Sequence, residues 1–373
     1  MPEPADILDA ALQRATVAIN YSLVADPTIR DRVEYVAGNI ANKAGVRLLM
    51  ACLLAKVHNP SIDVRKPYTK IGGVDSFSGR KYDENYVQSF VNLHALPCNA
   101  TTAFLTPAFR NRNVPLVPGL ELEGRPPRLY ADVLQLLDDV YKERVEPENL
   151  LTEIIRWLLV IRNEQQQRIE SLLRVLRTTQ DAIPLSSEAI VSLVEKHMTL
   201  KGTSRLPILI VAAAYQAAGP FLGEHHLPLQ AHNAADIQTG ALGDVEITLA
   251  DDNQVITSYE MKDRRVIKGD IDRAIEKLEE NRVRVDNYIF VTTDRIDEGV
   301  QQYAQSLYAQ TDGIEFVILD CIGFLRHYLH LFHRHRAEFL ESYQSLILAE
   351  LSSLVSQAVK EAFLSMRQVA EED

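Results

Sequence analysis

The feature that most constrains this chain is the succession of patterns that follows Arg205. An apolar helical run, LPILIVAAAYQAAG, leads into two strand-like runs, GDVEITLA and ITSYEMKD, joined through a turn at Asp251-Asp252-Asn253. A charged helix, GDIDRAIEKLEENR, then a β-rich run, NYIFVTTD, a helix, EGVQQYAQSLYAQ, and a last strand, IEFVILD, complete the series. Two consecutive strands separated by a tight turn form an antiparallel hairpin, whereas strands separated by a helix return parallel. The order α-β-β-α-β-α-β therefore predicts a mixed sheet, with a hairpin on one side and crossover helices on the other.

The rest of the chain reads differently. Up to about Asn59, runs such as ILDAALQRATVAINYSL and AGVRLLMACLLAKV show helical periodicity. From Ser61 to Pro127 turn formers dominate, including Gly72-Gly73, Ser78-Gly79 and Pro126-Pro127, with one short helix expected at YDENYVQSFVNLH. Helices resume from Leu129 to about Leu200, and LLTEIIRWLLVIRNEQQQRIESLLRVLRT carries a core-facing stripe at three- and four-residue steps. At 373 residues the chain exceeds what a single core usually organises. The expected division is a mainly helical region with basic loops at 1–200, an α/β core at 201–325 and a helical extension at 326–373. The fold class is thus α+β (α/β), a mixed-sheet core with a large helical N-terminal region.

With 46% hydrophobic and 24% charged residues, composition points to a globular protein. The three cysteines, Cys52, Cys98 and Cys321, are widely spaced, which suggests neither a disulfide framework nor a cysteine zinc site. No run is long and apolar enough for a membrane span and the opening residues do not resemble a signal peptide, so the expected location is cytoplasmic, with no membrane partner. No GxxxxGK[ST] or GxSxG motif occurs, which leaves no indication of a nucleotide cofactor or a serine hydrolase. The histidines of FLRHYLHLFHRHR (His327, His330, His333, His335) step around a helix without converging, a poor layout for zinc; His225 and His226 read as loop residues.

The chemistry concentrates in the hairpin. Asp244 opens its first strand, and Glu260 and Lys262 lie near the end of the second, fifteen residues intervening between the two carboxylates. An antiparallel hairpin folds these ends together. Side chains two apart on a strand share a face, so Glu260 and Lys262 point one way and Met261 the other, while Glu246 falls beside Asp244. Two carboxylates suit a hard, oxygen-loving cation such as Mg²⁺, with the Met261 carbonyl as a further ligand. Such an ion neutralises a phosphate and lowers the pKa of an attacking water, and a lysine beside it can hold that water and stabilise the charged transition state. Glu224 and Asp236 are possible auxiliary carboxylates.

The net charge of -12 argues against a nucleic-acid partner, but the charge is unevenly spread: between Ile62 and Arg128 nine basic residues face six acidic ones. Arg65, Lys66, Lys70, Arg80 and Lys81, then Arg110 and Arg112, are candidates for contacts with DNA bases or backbone. Arg264, Arg265 and Lys268, just after the hairpin, could grip the phosphates of the strand being cut.

Gly243-Asp244 together with Glu260-Met261-Lys262 resembles the PD-(D/E)xK superfamily of nucleases, Gly243 standing where that family carries proline. The wider text resembles the SacI family of type II restriction endonucleases, in FSGRKYDENYV (Phe77 to Val87), GALGDVEI (Gly240 to Ile247) and YEMKDR (Tyr259 to Arg264). The resemblance implies a magnesium-dependent enzyme that cuts double-stranded DNA at a specific sequence, a six-base palindrome of the GAGCTC kind. It also implies a homodimer, paired in its host with a protective methyltransferase. Coincident cuts in both strands of a palindrome fit a two-fold symmetric dimer. Two other readings of the same residues are a repair or recombination nuclease that recognises DNA structure, and a DNA-binding protein that retains the fold without catalysis.

Overall fold

The computed structural model describes residues 2–39, 42–99, 101–178, 184–229, 241–252 and 254–372. It divides into two compact units, one running to Arg168 and including Leu351–Ser353, the other comprising Ile169–Glu350 and Leu354 onward. The dividing point lies inside a long helix, Pro147–Thr178, rather than near residue 200. The helices beyond residue 326 belong to the second unit.

The first unit is helical, with α1 (Pro4–Val17), α2 (Pro27–Gly38), α3 (Ala44–His58), α6 (Pro127–Tyr141) and the first part of α7 (Pro147–Thr178). Helix α3 is buried from Ala44 to Ala55, as its uninterrupted apolar text requires. Between α3 and α6 the chain makes short helical turns, chiefly α4 (Gly79–Tyr82), a π-helical turn over Asp83–Val87 and α5 (Gln88–Leu93). Asp83 is fully buried, accepting from Arg47 Nε at 2.7 Å and from the Ala103 N–H at 3.1 Å. The turn-rich segment is thus pinned to α3 by an ion pair inside the core, and Phe77, Phe104, Phe109 and Leu116 contribute to that core.

The second unit holds the sheet. Helices α8 (Ser187–Met198) and α9 (Leu206–Leu222) precede strands β1 (Glu224–His226), β2 (Val245–Leu249), β3 (Val255–Lys262), β4 (Asn287–Thr292) and β5 (Glu315–Asp320). The spatial order is β1-β2-β3-β4-β5, antiparallel across the first two pairings and parallel across the last two. The parallel connections are α10 (Lys268–Asn281) and α11 (Glu298–Ser306). The protein is therefore α+β with a mixed sheet, five-stranded among the described residues, as the sequence predicts for its class. One strand was not foreseen: His225 and His226, expected in a loop, sit in β1 opposite Thr248 and Ile247. Gly223, left-handed at φ 70°, ends α9 and turns the chain directly into that strand.

Alternation along the strands builds two cores. Val245, Ile247, Tyr259 and Val291 face α8, α9 and the helices α12 (Cys321–Leu331), α13 (Arg336–Ala349) and α14 (Gln357–Glu372). Tyr288, Phe290, Phe316 and Ile318 face α10 and α11 through Ile271, Ala274 and Val300. His197 on α8 is fully buried, with Nδ1 3.1 Å from the Tyr343 hydroxyl and Nε2 3.0 Å from the Val359 carbonyl. A carbonyl can only accept, so Nε2 carries the proton and Nδ1 accepts from Tyr343.

Candidate active site

Asp244 lies in the turn just before β2, one residue ahead of the strand the sequence has it open. Two hydrogen bonds pin it to β3. Its N–H donates to the Tyr259 carbonyl at 2.7 Å, and its Oδ2 accepts from the Met261 N–H at 2.7 Å. Val245 pairs with Tyr259, which brings the Asp244 carboxylate to the stretch of β3 that carries Glu260. Glu260 and Lys262 share a face, and the Lys262 ammonium is in contact with Glu260 Oε1. Met261 turns the other way, onto the α9 side of the sheet. The hairpin thus assembles Asp244, Glu260 and Lys262 in the way the spacing predicts.

Gly243 explains itself at this turn. A Cβ added there would lie 2.4 Å from Ser258 Oγ and 2.5 Å from the Tyr259 carbonyl oxygen. Backbone passes so close to backbone that neither alanine nor proline fits without displacing β3.

The structure describes two of the possible auxiliary carboxylates. Glu246 Oε1 accepts from the Leu242 N–H at 2.6 Å and so shapes the turn that carries Asp244. Glu224 is in β1, where its charge helps burial raise the pKa of Tyr215 and Tyr259, whose hydroxyls meet at 3.0 Å. Tyr259 and Glu260 are successive on the strand and point to opposite faces. Asp236 lies outside the described residues. Among the described residues no three His, Cys, Asp or Glu side chains converge on one point.

Two residues the sequence reading passed over join the cluster. Buried Tyr288, on β4, places its hydroxyl 2.5 Å from Glu260 Oε2 and 2.8 Å from the Leu242 carbonyl oxygen. Asp270, in the first turn of α10 and 1% exposed, accepts from the Ile267 N–H at 3.0 Å and takes both arms of Arg264, at 2.7 and 2.9 Å. It also binds Arg273 and lies 4.0 Å from the Lys262 ammonium. Burial pushes its carboxyl up, but hydrogen bonds from Arg264 and Ile267 and the charges of Lys262 and Arg264 hold it below the usual carboxylate range. A buried tyrosine usually places its hydroxyl on a partner, but NYIFVTTD does not state which. Asp270 read as an ordinary helix-start acid.

Lys262 also lines a cleft of about 580 Å³ at the carboxyl ends of β3, β4 and β5, together with Asp263, Thr293 and Asp320 and with Thr199 and Thr203 from the α8–α9 connection. Ligands of open α/β sheets characteristically enter at that edge.

The basic candidates sort by environment. Arg65 is folded against Asp63 and Asp138 and stacks on Tyr141, 3.2 Å from the ring centroid. Lys66 pairs with Asp75 at 2.6 Å, Arg80 with Glu84 at 2.7 Å, and Arg112 donates to the Ala108 carbonyl at 2.8 Å. Lys70, Lys81, Arg110 and Arg265 are exposed. Exposed Lys268 places its ammonium 5.1 Å from the centre of the Tyr303 ring. Of the C-terminal histidines, His330 binds Glu188 at 2.8 Å and His335 stacks on Phe221.

Residues 184–293 match the family model of the SacI restriction endonuclease C-terminal domain. The second unit resembles a restriction endonuclease domain. The matched stretch runs from just before α8 to the end of β4 and contains Asp244, Glu260, Lys262, Asp270 and Tyr288. Over this stretch the chain is similar to the DNA-cutting SacI-type restriction endonucleases. The basic loops between Ile62 and Arg128 fall outside the matched residues. No curated protein matches the chain. No described helix is long and apolar enough to cross a membrane.

Proposed function

We propose that the protein is a type II restriction endonuclease that makes magnesium-dependent double-strand cuts at a specific DNA sequence, with Asp244, Glu260 and Lys262 as its PD-(D/E)xK centre. The observation that carries this reading is the convergence of Asp244 onto β3 beside Glu260 and Lys262, within the stretch that resembles a restriction endonuclease domain.

The donor set suits magnesium. Two carboxylates and a backbone carbonyl are hard oxygen ligands, and Mg²⁺ needs no more from a protein because waters and phosphate oxygens complete its octahedron. Asp244 and Glu260 would hold the ion, with the Met261 carbonyl as a further ligand. When bound, the ion supplies charge neutralisation at the phosphate and acidifies a coordinated water.

The chain's own residues do the rest. Lys262 stands on Glu260, on the same face of β3, so its ammonium can donate to a water or to a phosphate oxygen brought to that pair. Water attacks phosphorus in line with the departing 3′ oxygen, the P–O3′ bond breaks, and the ends are a 5′-phosphate and a 3′-hydroxyl. Asp270 keeps Arg264 at the strand end where the scissile phosphates would pass. Arg265 and Lys268 would contact the same backbone, and the exposed Lys70, Lys81 and Arg110 are further candidates for DNA contact.

A homodimer on a palindrome, by resemblance one of the GAGCTC kind, delivers the paired cuts. Plasmid digestion with Mg²⁺ tests the reading. Discrete fragments, absent with Asp244→Ala, are expected; cleavage confined to junctions or flaps would instead indicate a structure-specific nuclease. Asp244→Ala cutting as well as the wild type would show that the centre is misassigned.

A further inference from the structure

The geometry points to Tyr288 as the positioning residue of the metal centre: its hydroxyl sets the Glu260 carboxylate and the turn carrying Asp244 at a fixed separation. This inference rests on the proposed metal-binding role of Asp244 and Glu260.

Three observations support it. The hydroxyl lies within hydrogen-bond reach of two oxygens, Glu260 Oε2 at 2.5 Å and Leu242 O at 2.8 Å, both of which can only accept. Its single proton is therefore shared between β3 and the turn two residues before Asp244. Leu242 is held through its preceding peptide as well, because its N–H donates to Glu246 Oε1 at 2.6 Å. Finally, Tyr288 is firmly packed: it is fully buried, and its ring packs against Phe290 and Phe316, with centroids at 5.2 and 5.9 Å.

Glu260 thus has both oxygens assigned, Oε2 to Tyr288 and Oε1 to Lys262. Of the two partners the tyrosine is the more firmly held. Lys262 reaches Glu260 through a long unbranched side chain, whereas the phenol is packed in the sheet. A bond to a rigid neighbour orients a metal-binding carboxylate, and losing such a neighbour typically weakens metal affinity roughly ten- to hundredfold.

The test uses full-length protein without DNA and reads Mn²⁺ binding by calorimetry or electron paramagnetic resonance. Wild type should bind, Asp244→Ala should lose binding, and Tyr288→Phe should bind roughly ten- to hundredfold more weakly while remaining folded. Raising Mg²⁺ should then restore the cleavage rate of Tyr288→Phe. A second variant, Phe316→Leu, loosens the packing of the ring but keeps the hydroxyl. It should melt earlier, and because the hydroxyl still meets both oxygens and Phe290 still packs on the ring, its Mn²⁺ affinity should fall by less than that of Tyr288→Phe. Wild-type affinity in Tyr288→Phe, with binding still lost in Asp244→Ala, overturns the role of Tyr288 and leaves the centre standing. An affinity loss in Phe316→Leu equal to that in Tyr288→Phe overturns it too, because ring packing would then suffice. Undiminished binding in Asp244→Ala removes the centre itself, and this inference with it.

Discussion

At the scale of single residues, the centre depends on a position with no side chain. Gly243 lets the turn approach β3 closely enough for Asp244 to accept from the Met261 N–H. Gly243→Ala should therefore cost about 1–3 kcal/mol of stability, the usual penalty of forcing atoms into filled space. It should also lower cleavage more than stability alone explains, because it moves the carboxylate; chemical denaturation and plasmid cleavage on the same preparation separate the two effects. Asp270→Ala removes the N-terminal bond of α10 and the anchor of Arg264. A loss of about 1.5–3 kcal/mol is expected for charged hydrogen bonds to a buried carboxylate, read as a lowered denaturation midpoint. How far these residues were legible follows from what each depends on. Asp244, Glu260 and Lys262 could be found because strand alternation and hairpin length fix which side chains meet. Tyr288 and Asp270 could not, since their roles arise from register with β3 and from the start of α10, which no local pattern states. Charge counting also cannot distinguish exposed Lys70 from Arg65, which is folded onto Asp63, Asp138 and Tyr141.

At the scale of elements, β2 to β5 were readable because each carries apolar residues in strand rhythm between turn formers. Strand β1 was not: Glu-His-His has no apolar alternation, and its pairing with β2 is imposed by the close exit from α9. The C-terminal helices gave a helical pattern but no sign that they close the sheet's core. His197 makes that closure measurable. Burial lowers its pKa from 6.5 to about 4, so the imidazole is neutral in the fold while it bridges α8 to Tyr343 and Val359. Between those values the unfolded chain binds the proton that the folded chain refuses. The contribution of His197 is thus complete above pH 6.5 and declines as pH falls toward 4, by roughly 3 kcal/mol across the window. Denaturation midpoints from pH 7.5 to 4.5 should fall more steeply in wild type than in His197→Gln.

For the whole molecule, net acidity and a DNA substrate are compatible because charge is local. Chain-wide charge is -12, yet basic residues prevail between Ile62 and Arg128. If two protomers cut together, supercoiled plasmid should pass to linear product with little nicked circle accumulating, and sedimentation should give twice the mass of the chain. Persistent nicking with a monomeric mass would contradict the dimer.

The contact between Lys262 and Glu260 reaches beyond catalysis. Many small metalloproteins collapse when stripped of their ion, since bare carboxylates repel and nothing else draws them together. Here an ammonium on the same strand supplies the missing positive charge in advance. In the proposed centre the polypeptide would carry a stand-in for the divalent cation, so folding would not wait on the ion supply and only the proposed cutting would. Exhaustive EDTA treatment should accordingly leave the melting temperature unchanged while cleavage stops, and adding Mg²⁺ back should restore activity without any refolding step.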